Sequence, residues 1–451
     1  MCFGFDSDFD IRISDLKKIM KNINVGIIGL GTVGGGVAKA LLEKESFIFE
    51  RSGVSVKLLK AYDKDKKKIK KLGLPSRVIA TDPVEIFGNT NVDILVELIG
   101  GIHPAQEMIM KAIQASKHIV TANKALLAEQ GERIFNAAKN SGSLIGFEAS
   151  VGGAMPVIKV LHESFSSNRI SAIYGIVNGT CNYVMHKMME ANCGMADALK
   201  EAKAKGIAEQ DPKLDVAGID SCHKLCILTM LAFGCFVTPK DVYIEGIKHI
   251  DLQDIVYARN WGYDIKLLAI AKFDKCALQL RVHPTLIPLS HLLSAVKNED
   301  NAVFIKGDMI GDSMIYGKGA GRMPAASSVV SDIIDIAKCI NRRAINLASS
   351  IKSWESGCKM KLSRMGDLQT RYYLRFSAID EPGVLSSISN VLAKNKISIA
   401  TVTQKQRNKG EPVPIVMLTH EAREASMEKA LKDIDKLPCI KKRTVRIRME
   451  R

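Results

Sequence analysis

The sequence predicts an α/β protein in three parts: an open parallel sheet wrapped by helices, an α+β part after it, and a C-terminal βαββαβ unit. Three observations carry this. Short apolar runs at residues 25–30, 54–62 and 92–98 alternate with helical patterns, as parallel strands buried on both faces do. A glycine-rich turn, Gly29-Leu30-Gly31-Thr32-Val33-Gly34, separates the first run from the first helix. Residues 371–379 alternate, with Tyr372, Leu374, Phe376 and Ala378 on one face and Tyr373, Arg375 and Ser377 on the other. That is the period of a half-buried strand.

A chain of 451 residues holds two to three domains. Its 47% hydrophobic and 25% charged residues are those of a globular protein. The longest apolar run, 225–237, is too short to span a bilayer, so no membrane helix is expected. The net charge of +16 raises nucleic-acid binding. The lysines are scattered, however, and no stacking platform accompanies them, so attraction of anionic nucleotide and substrate is the better account, with no nucleic-acid partner. The ten cysteines show no C-x-x-C and no paired zinc spacing. They read as buried reduced thiols of a cytoplasmic protein, with His223 and Cys226 pointing away from Cys222.

Residues 1–23 form an N-terminal extension. It lacks the basic and apolar regions of a leader, and Asp6, Asp8 and Asp10 argue against a transit peptide. It reads as a species-specific arm or as sequence upstream of a start at Met20.

Residues 25–30 are a strand, and the turn after them meets a helical pattern at 37–49. That setting turns G-x-G-x-x-G into a dinucleotide site. Gly29, Gly31 and Gly34 let the backbone approach a pyrophosphate, while Thr32 and Val33 lie where a helix N-terminus supplies N–H groups and dipole. The second strand, 54–62, ends at Asp63, an acid placed to bind an adenosine ribose, which favours NAD. Lys64, Lys66, Lys67 and Lys68 follow and favour the 2′-phosphate of NADP; both cofactors stay open. Further strands at 92–98 and 144–147 complete the sheet. The Ile99-Gly100-Gly101 turn lies at its ligand-binding edge.

Residues 204–224 are chemically the densest stretch. Glu209, Asp211, Asp215 and Asp220 supply carboxylates, Gly206, Pro212 and Gly218 bend the chain, and Lys224 follows Asp220 by one helical turn. Leu225, Cys226, Ile227, Leu228, Met230 and Leu231 make that helix apolar nearly all round, hence buried. The bland reading is a surface ion pair. A buried lysine beside a carboxylate is costly unless paired, and marks functional chemistry. Residues 242–304 then predict a sheet that covers these helices and joins subunits. A glycine turn at 317–321, an amphipathic helix at 327–340 and a linker at 344–369 follow. Strands near 397–404, 413–419 and 440–448 and a helix at 422–434 complete the last unit.

The run Ala202, Gly206, Ala208, Glu209, Asp211, Pro212, Asp215, Val216, Gly218, Asp220, Lys224 resembles the homoserine dehydrogenase signature. The resemblance extends to Val120-Thr121-Ala122-Asn123-Lys124-Ala125-Leu126, to the segment from Glu148 to Pro156, and to Asn178-Gly179-Thr180-Cys181-Asn182-Tyr183. Asp380-Glu381-Pro382-Gly383-Val384-Leu385 after the first strand of the last unit resembles an ACT domain.

The resemblance implies a Rossmann-type nucleotide-binding domain (24–150 plus 319–343), a catalytic and dimerisation domain (151–318), and an ACT regulatory domain (370–451). It implies NAD(P)-dependent interconversion of L-homoserine and L-aspartate 4-semialdehyde in threonine, methionine and isoleucine biosynthesis. Lys224 would be proton donor, with Lys124 and Asp220 beside it. Glu209, Asp215, Asp220 and Gly206 would bind substrate, and Gly206, Gly321 and Lys124 would join the cofactor site. Glu148 and main-chain atoms of Val151, Gly153 and Met155 would hold a monovalent cation such as Na+. Asp380, Pro382, Gly383 and Val384 would sense an amino-acid effector such as threonine, in a homodimer or homotetramer. The rival readings are another Rossmann-type dehydrogenase of a small amino-acid or semialdehyde substrate, and a catalytically dead ACT-type sensor.

Overall fold

The computed structural model describes residues 21–274, 276–342, 360–404 and 412–450. The expected arm before Met20 and residues 344–359 of the expected linker lie outside the described residues. Two compact units form, Met1–Ile158 with Ala320–Ser356 and Lys159–Gly319 with Gly357–Arg451. Among the described residues, no helix is long and apolar enough to cross a membrane.

In the first unit, β1 (Ile23–Ile28), β2 (Val56–Tyr62), β3 (Ile94–Glu97), β4 (His118–Thr121) and β5 (Ile145–Gly146) pair in parallel in the order β2-β1-β3-β4-β5. Helices cover both faces, which is why β1, β3 and β4 are buried along almost their whole length. Val25 and Ile27 pack with Val329, Ile333 and Ile336 of the Arg322–Asn341 helix on one face. On the other, Leu95 and Ile119 pack with Ile109, Ile113, Leu126 and Ile134. The chain leaves β1 for β2 on one side, and β3 lies on the other. The turns after β1 and β3 therefore face a topological switch point.

Three elements differ from expectation, one of them the helix expected at 327–340, which already begins at Arg322. The helix expected at 37–49 begins at Thr32 and breaks at Lys44, giving Thr32–Glu43 and Glu45–Ser52. Gly34, Gly35 and Gly36 carry poor helix propensity and hide the first turn from a periodicity reading. The strand expected at 144–147 pairs only over Ile145–Gly146, because the Glu148 N–H leaves the ladder for Asp332 Oδ2 at 2.8 Å.

In the second unit, β6 (Ile170–Ile176), β7 (Tyr243–Ile244), β8 (Tyr263–Asp274), β9 (Ala277–Pro288), β10 (Asp300–Gly307) and β11 (Gly311–Lys318) share a sheet with the C-terminal strands. Those are β12 (Gln369–Ile379), β13 (Ile399–Thr403), β14 (Pro412–Thr419), β15 (Ala422–Arg423) and β16 (Ile440–Met449). The order is β11-β10-β6-β8-β9-β16-β12-β14-β13, with β7 beside β9 and β15 beside β12. The seam is the parallel pairing of Arg448 with Thr285 and Met449 with Leu286.

Strand β12 keeps the expected alternation over most of its length, with Arg371, Arg375 and Ser377 half-buried. Tyr372, Leu374, Phe376 and Ala378 do line the core under the Val384–Lys394 and Glu424–Ile434 helices. On the other face Tyr373 is buried. Tyr373 Oη donates to Asp254 Oδ1 at 2.9 Å, and Arg375 grips the same fully buried carboxylate at 2.6 and 3.0 Å. Alternation reports polarity, and here the polar face is met by a buried partner of opposite charge.

Two buried imidazoles depend on being neutral. His118 Nδ1 accepts the Leu144 N–H at 3.0 Å, and His283 accepts from Arg281 Nε at 3.2 Å while its Nδ1 lies 2.9 Å from Pro284 O. Burial pushes both pKa values down, and for His283 the charges of Arg448 and Arg281 push further. The unfolded chain therefore binds more protons than the folded one near and below pH 6.5. Stability present above that pH is lost as pH falls, at up to about 1.4 kcal/mol per pH unit for each group. Thermal denaturation from pH 7.5 to 5.5 should show a falling midpoint, flattened in the His118→Gln/His283→Gln double variant. A flat wild-type profile contradicts this account.

Candidate active site

The glycine turn is shaped by backbone packed on backbone. Gly29 sits at φ 99°, where a methyl would lie 2.6 Å from the Leu98 carbonyl; at Gly34 it would lie 1.8 Å from Gly29 O. Over Gly31 there is open space. That is the shape expected of a cradle for a pyrophosphate, with the Thr32–Glu43 helix starting from a residue that has no side chain of its own to cap it. Asp63 is buried, and its carboxylate fixes the turn: Oδ2 accepts Leu30 N at 2.7 Å and Oδ1 accepts Asp65 N at 2.8 Å. Lys64, Lys66, Lys67 and Lys68 are exposed beside it.

At the neighbouring strand ends lies a residue that sequence reasoning passed over. Glu97 is fully buried. Its Oε1 accepts Ile99 N at 2.8 Å and Gly100 N at 3.2 Å, and its Oε2 accepts Thr121 Oγ1 at 2.7 Å. Thr121 Oγ1 takes the Asn123 N–H at 3.0 Å. Asn123 in turn donates to Gly101 O at 2.6 Å and caps the helix through Leu126 N at 3.2 Å. Lys124, half-buried, is the first residue of that helix, Lys124–Ser141. The available signal was an acid inside the apolar run 92–98. Gly321, at φ 130°, precedes the Arg322–Asn341 helix.

The Glu148 segment is buried and turned by Gly152 at φ 75° and Gly153 at φ 57°. Glu148 Oε1 accepts Ile158 N at 2.8 Å, and Gly153 O accepts Ser328 Oγ at 2.6 Å. Val151 and Met155 are buried. Among the described residues, no group of three or more His, Cys, Asp or Glu side chains could hold a metal ion. In this segment the Glu148 carboxylate and the Gly153 carbonyl already accept hydrogen bonds from the protein, and such oxygens are the donor type a hard cation takes.

In the second unit the Ile219–Phe233 helix starts from Gly218 at φ 83°. Asp220 and Lys224 share its face one turn apart, each 8% exposed, with Nζ to Oδ2 at 2.8 Å. Nζ also donates to Val177 O at 2.5 Å, at the end of β6. Asn178 ties the carboxylates together: Nδ2 donates to Asp215 Oδ1 at 2.7 Å and Asp220 Oδ2 at 2.9 Å, while Oδ1 caps the next helix through Cys181 N at 2.8 Å. Cys181 donates its thiol proton to Asp215 O at 3.2 Å. Burial, with the charges of Asp215 and Asp220, pushes this thiol well up, so it stays protonated. Thr180 and Asn182 hold neighbouring loops, through Ile207 O at 3.2 Å and Asn298 O at 3.0 Å.

The structure thus brings Asn178, Asp215, Asp220 and Lys224 together. It does not bring Glu209 or Gly206 into that hydrogen-bonded group; both are exposed, Gly206 at φ 71°. Asp211 is exposed as well, and pairs with Lys213 at 3.1 Å. The expected divergence of Cys226 from Cys222 is wrong. They are one turn apart on one face, and the neighbouring Cys222 thiol, then burial, pushes Cys226 far up. An ammonium desolvated beside two carboxylates can bind a polar substrate and move a proton at its oxygen.

Comparison with known proteins bears on which substrate. Residues 29–148 match the family description "Homoserine dehydrogenase, NAD binding domain", 156–334 match "Homoserine dehydrogenase", and 372–439 match "ACT domain". The homoserine dehydrogenase of Neisseria gonorrhoeae is 41% identical over 96% of this chain and 99% of that protein. The crystal structure of a homoserine dehydrogenase from Thiobacillus denitrificans superposes with a TM-score of 0.89, at 39% identity, over 96% of this chain and 99% of that one. A hyperthermophilic archaeal homoserine dehydrogenase mutant in complex with NADPH matches with a TM-score of 0.60 and 28% identity, over 70% of this chain and 97% of that one.

Proposed function

The chain belongs to the homoserine dehydrogenase family, and from that premise we propose that Lys224 is the proton donor and acceptor of its reaction, with Asp220 and Asp215 as substrate-binding partners. The enzyme is an NAD(P)-dependent oxidoreductase of amino-acid biosynthesis that interconverts L-homoserine and L-aspartate 4-semialdehyde. The observation that carries the proposal is the buried Asp220–Lys224 pair, 2.8 Å apart and tied to Asp215 through Asn178.

The nicotinamide ring, when bound, supplies the hydride to the aldehyde carbon or takes it from the alcohol carbon. As the aldehyde is reduced, its oxygen gains negative charge. The Lys224 ammonium stabilises that charge and delivers the proton that completes the alcohol. In oxidation the neutral amine takes the hydroxyl proton as the C–H bond breaks. Asp215 and Asp220 attract the substrate's own ammonium group and fix its orientation, and Asn178 holds both in place. Lys124, anchored by the Glu97–Thr121–Asn123 network, assists at the cofactor site. Gly29, Gly31, Thr32, Val33 and Gly34 would hold the pyrophosphate, and Asp63 with its lysines would select between NAD and NADP.

Glu148 with the carbonyls of Val151, Gly153 and Met155 would hold a sodium ion, which would offset the buried carboxylate's charge. The Asp380–Val384 turn, with Gly383 at φ 91°, would bind an amino-acid effector, threonine first. The protein would work as a cytoplasmic homodimer or homotetramer.

Homoserine-dependent reduction of each cofactor, with and without threonine, tests the reading. Turnover with homoserine and none with malate is expected. No turnover with either cofactor would overturn it and favour the sensor.

A further inference from the structure

We infer that Glu245 and Gly246 are positioning residues for the substrate-binding carboxylates Asp215 and Asp220, so that strand β16 of the C-terminal part sets where Asp215 stands. The inference rests on the reading that Asp215 and Asp220 bind substrate.

Arg448 of β16 is 1% exposed and spends its guanidinium in two directions. Towards its own domain it holds the fully buried Glu424 at 2.6 and 3.0 Å. Towards the catalytic part it holds Glu245 Oε2 at 2.8 Å and Tyr243 Oη at 3.0 Å. Burial pushes the Glu245 carboxyl up. Arg448, ahead of Arg446, overrides burial and holds the group below the usual carboxylate range, so it is charged at neutral pH. Glu245 N donates to Val282 O at 2.8 Å, which locks its backbone to β9.

The next two residues carry that position onward. A methyl on Gly246 would lie 2.1 Å from Val216 O and 2.7 Å from the Ala217 Cα, so backbone rests directly on backbone. Ile247 N donates to the same Val216 O at 2.9 Å. Val216 directly follows Asp215, and a methyl on Gly218, before the helix of Asp220 and Lys224, would lie 3.3 and 3.2 Å from the Ile244 and Val282 side chains. The segment from Tyr243 to Ile247 therefore grips the turn that joins Asp215 to Asp220. One end of it is held by an arginine from another part of the sequence.

Gly246→Ala forces the Val216 carbonyl away. It should raise KM for homoserine roughly 10- to 100-fold, as an ångström-scale misplacement does, while KM for NAD(P) stays unchanged. Glu245→Leu should move the same constant in the same direction. Glu245→Gln, which keeps an oxygen for Arg448, should restore most of it. Asp215→Asn is the control for the site itself and should raise KM for homoserine alone. If Asp215→Asn acts and the Glu245 and Gly246 variants do not, the positioning inference is overturned while the site reading stands. If Asp215→Asn leaves KM unchanged, the site reading fails and takes the inference with it. Should Gly246→Ala not fold, the Glu245 pair decides: equal behaviour of Leu and Gln overturns the inference.

Discussion

Lys224→Met should lose roughly 10²–10⁴-fold in kcat, the contribution of a positioned proton donor, with KM for the cofactor little changed. Methionine fills the same narrow space between the helix and the end of β6, so the loss isolates the ammonium. It leaves Asp220 with Asn178 as the partner described above, so thermal denaturation must accompany the kinetics to show that the fold is retained. Lys224→Arg separates charge from proton transfer. A guanidinium keeps the charge but does not give up its proton at any working pH, and its planar fork does not fit the paths to Val177 O and Asp220 Oδ2 together. The Arg variant should therefore fold and remain slow. Near-normal rates in both variants would remove Lys224 from the mechanism.

Arg448→Met should cost about 3–5 kcal/mol in stability, the penalty of breaking a buried ion pair from one side. Glu424 is fully buried in the last unit, where Tyr372 Oη at 2.8 Å and Arg446 at 2.8 Å would remain its partners. Glu245 would keep Arg446 at 3.7 Å and Tyr243 at 2.8 Å. The double variant Arg448→Met/Glu424→Leu removes both charges and should recover part of the loss, because a buried pair replaced by apolar groups is often neutral. Urea unfolding followed by circular dichroism reads both. An unchanged midpoint in the single variant would show that the seam between β9 and β16 does not depend on this arginine.

Much of this was legible in the residues. Apolar runs without alternation marked the parallel strands, because a sheet covered on both faces needs no polar side. The all-round apolar character of the helix after Gly218 placed Lys224 and Asp220 out of water, as the structure finds them. What sequence could not supply was partnership at a distance. Asn178 stands 37 and 42 positions from the two carboxylates it joins, and only the folded chain brings them together. Glu97 was hidden inside an apolar run, since Asp93 and Glu97 together leave its apolar core intact. Arg375 stood on the polar face of its strand, because periodicity does not reveal the buried acid that awaits it. Glu209 is exposed, set by a loop conformation that no local pattern specified.

The central claim is that the Lys224 ammonium acts at the substrate oxygen. A crystal structure with NAD(P) and homoserine bound tests it most directly. The account predicts Lys224 Nζ about 2.6–3.2 Å from the homoserine hydroxyl, with Asp215 or Asp220 on the substrate's ammonium. Homoserine bound with its hydroxyl out of reach of Lys224, directly or through one water, would contradict it.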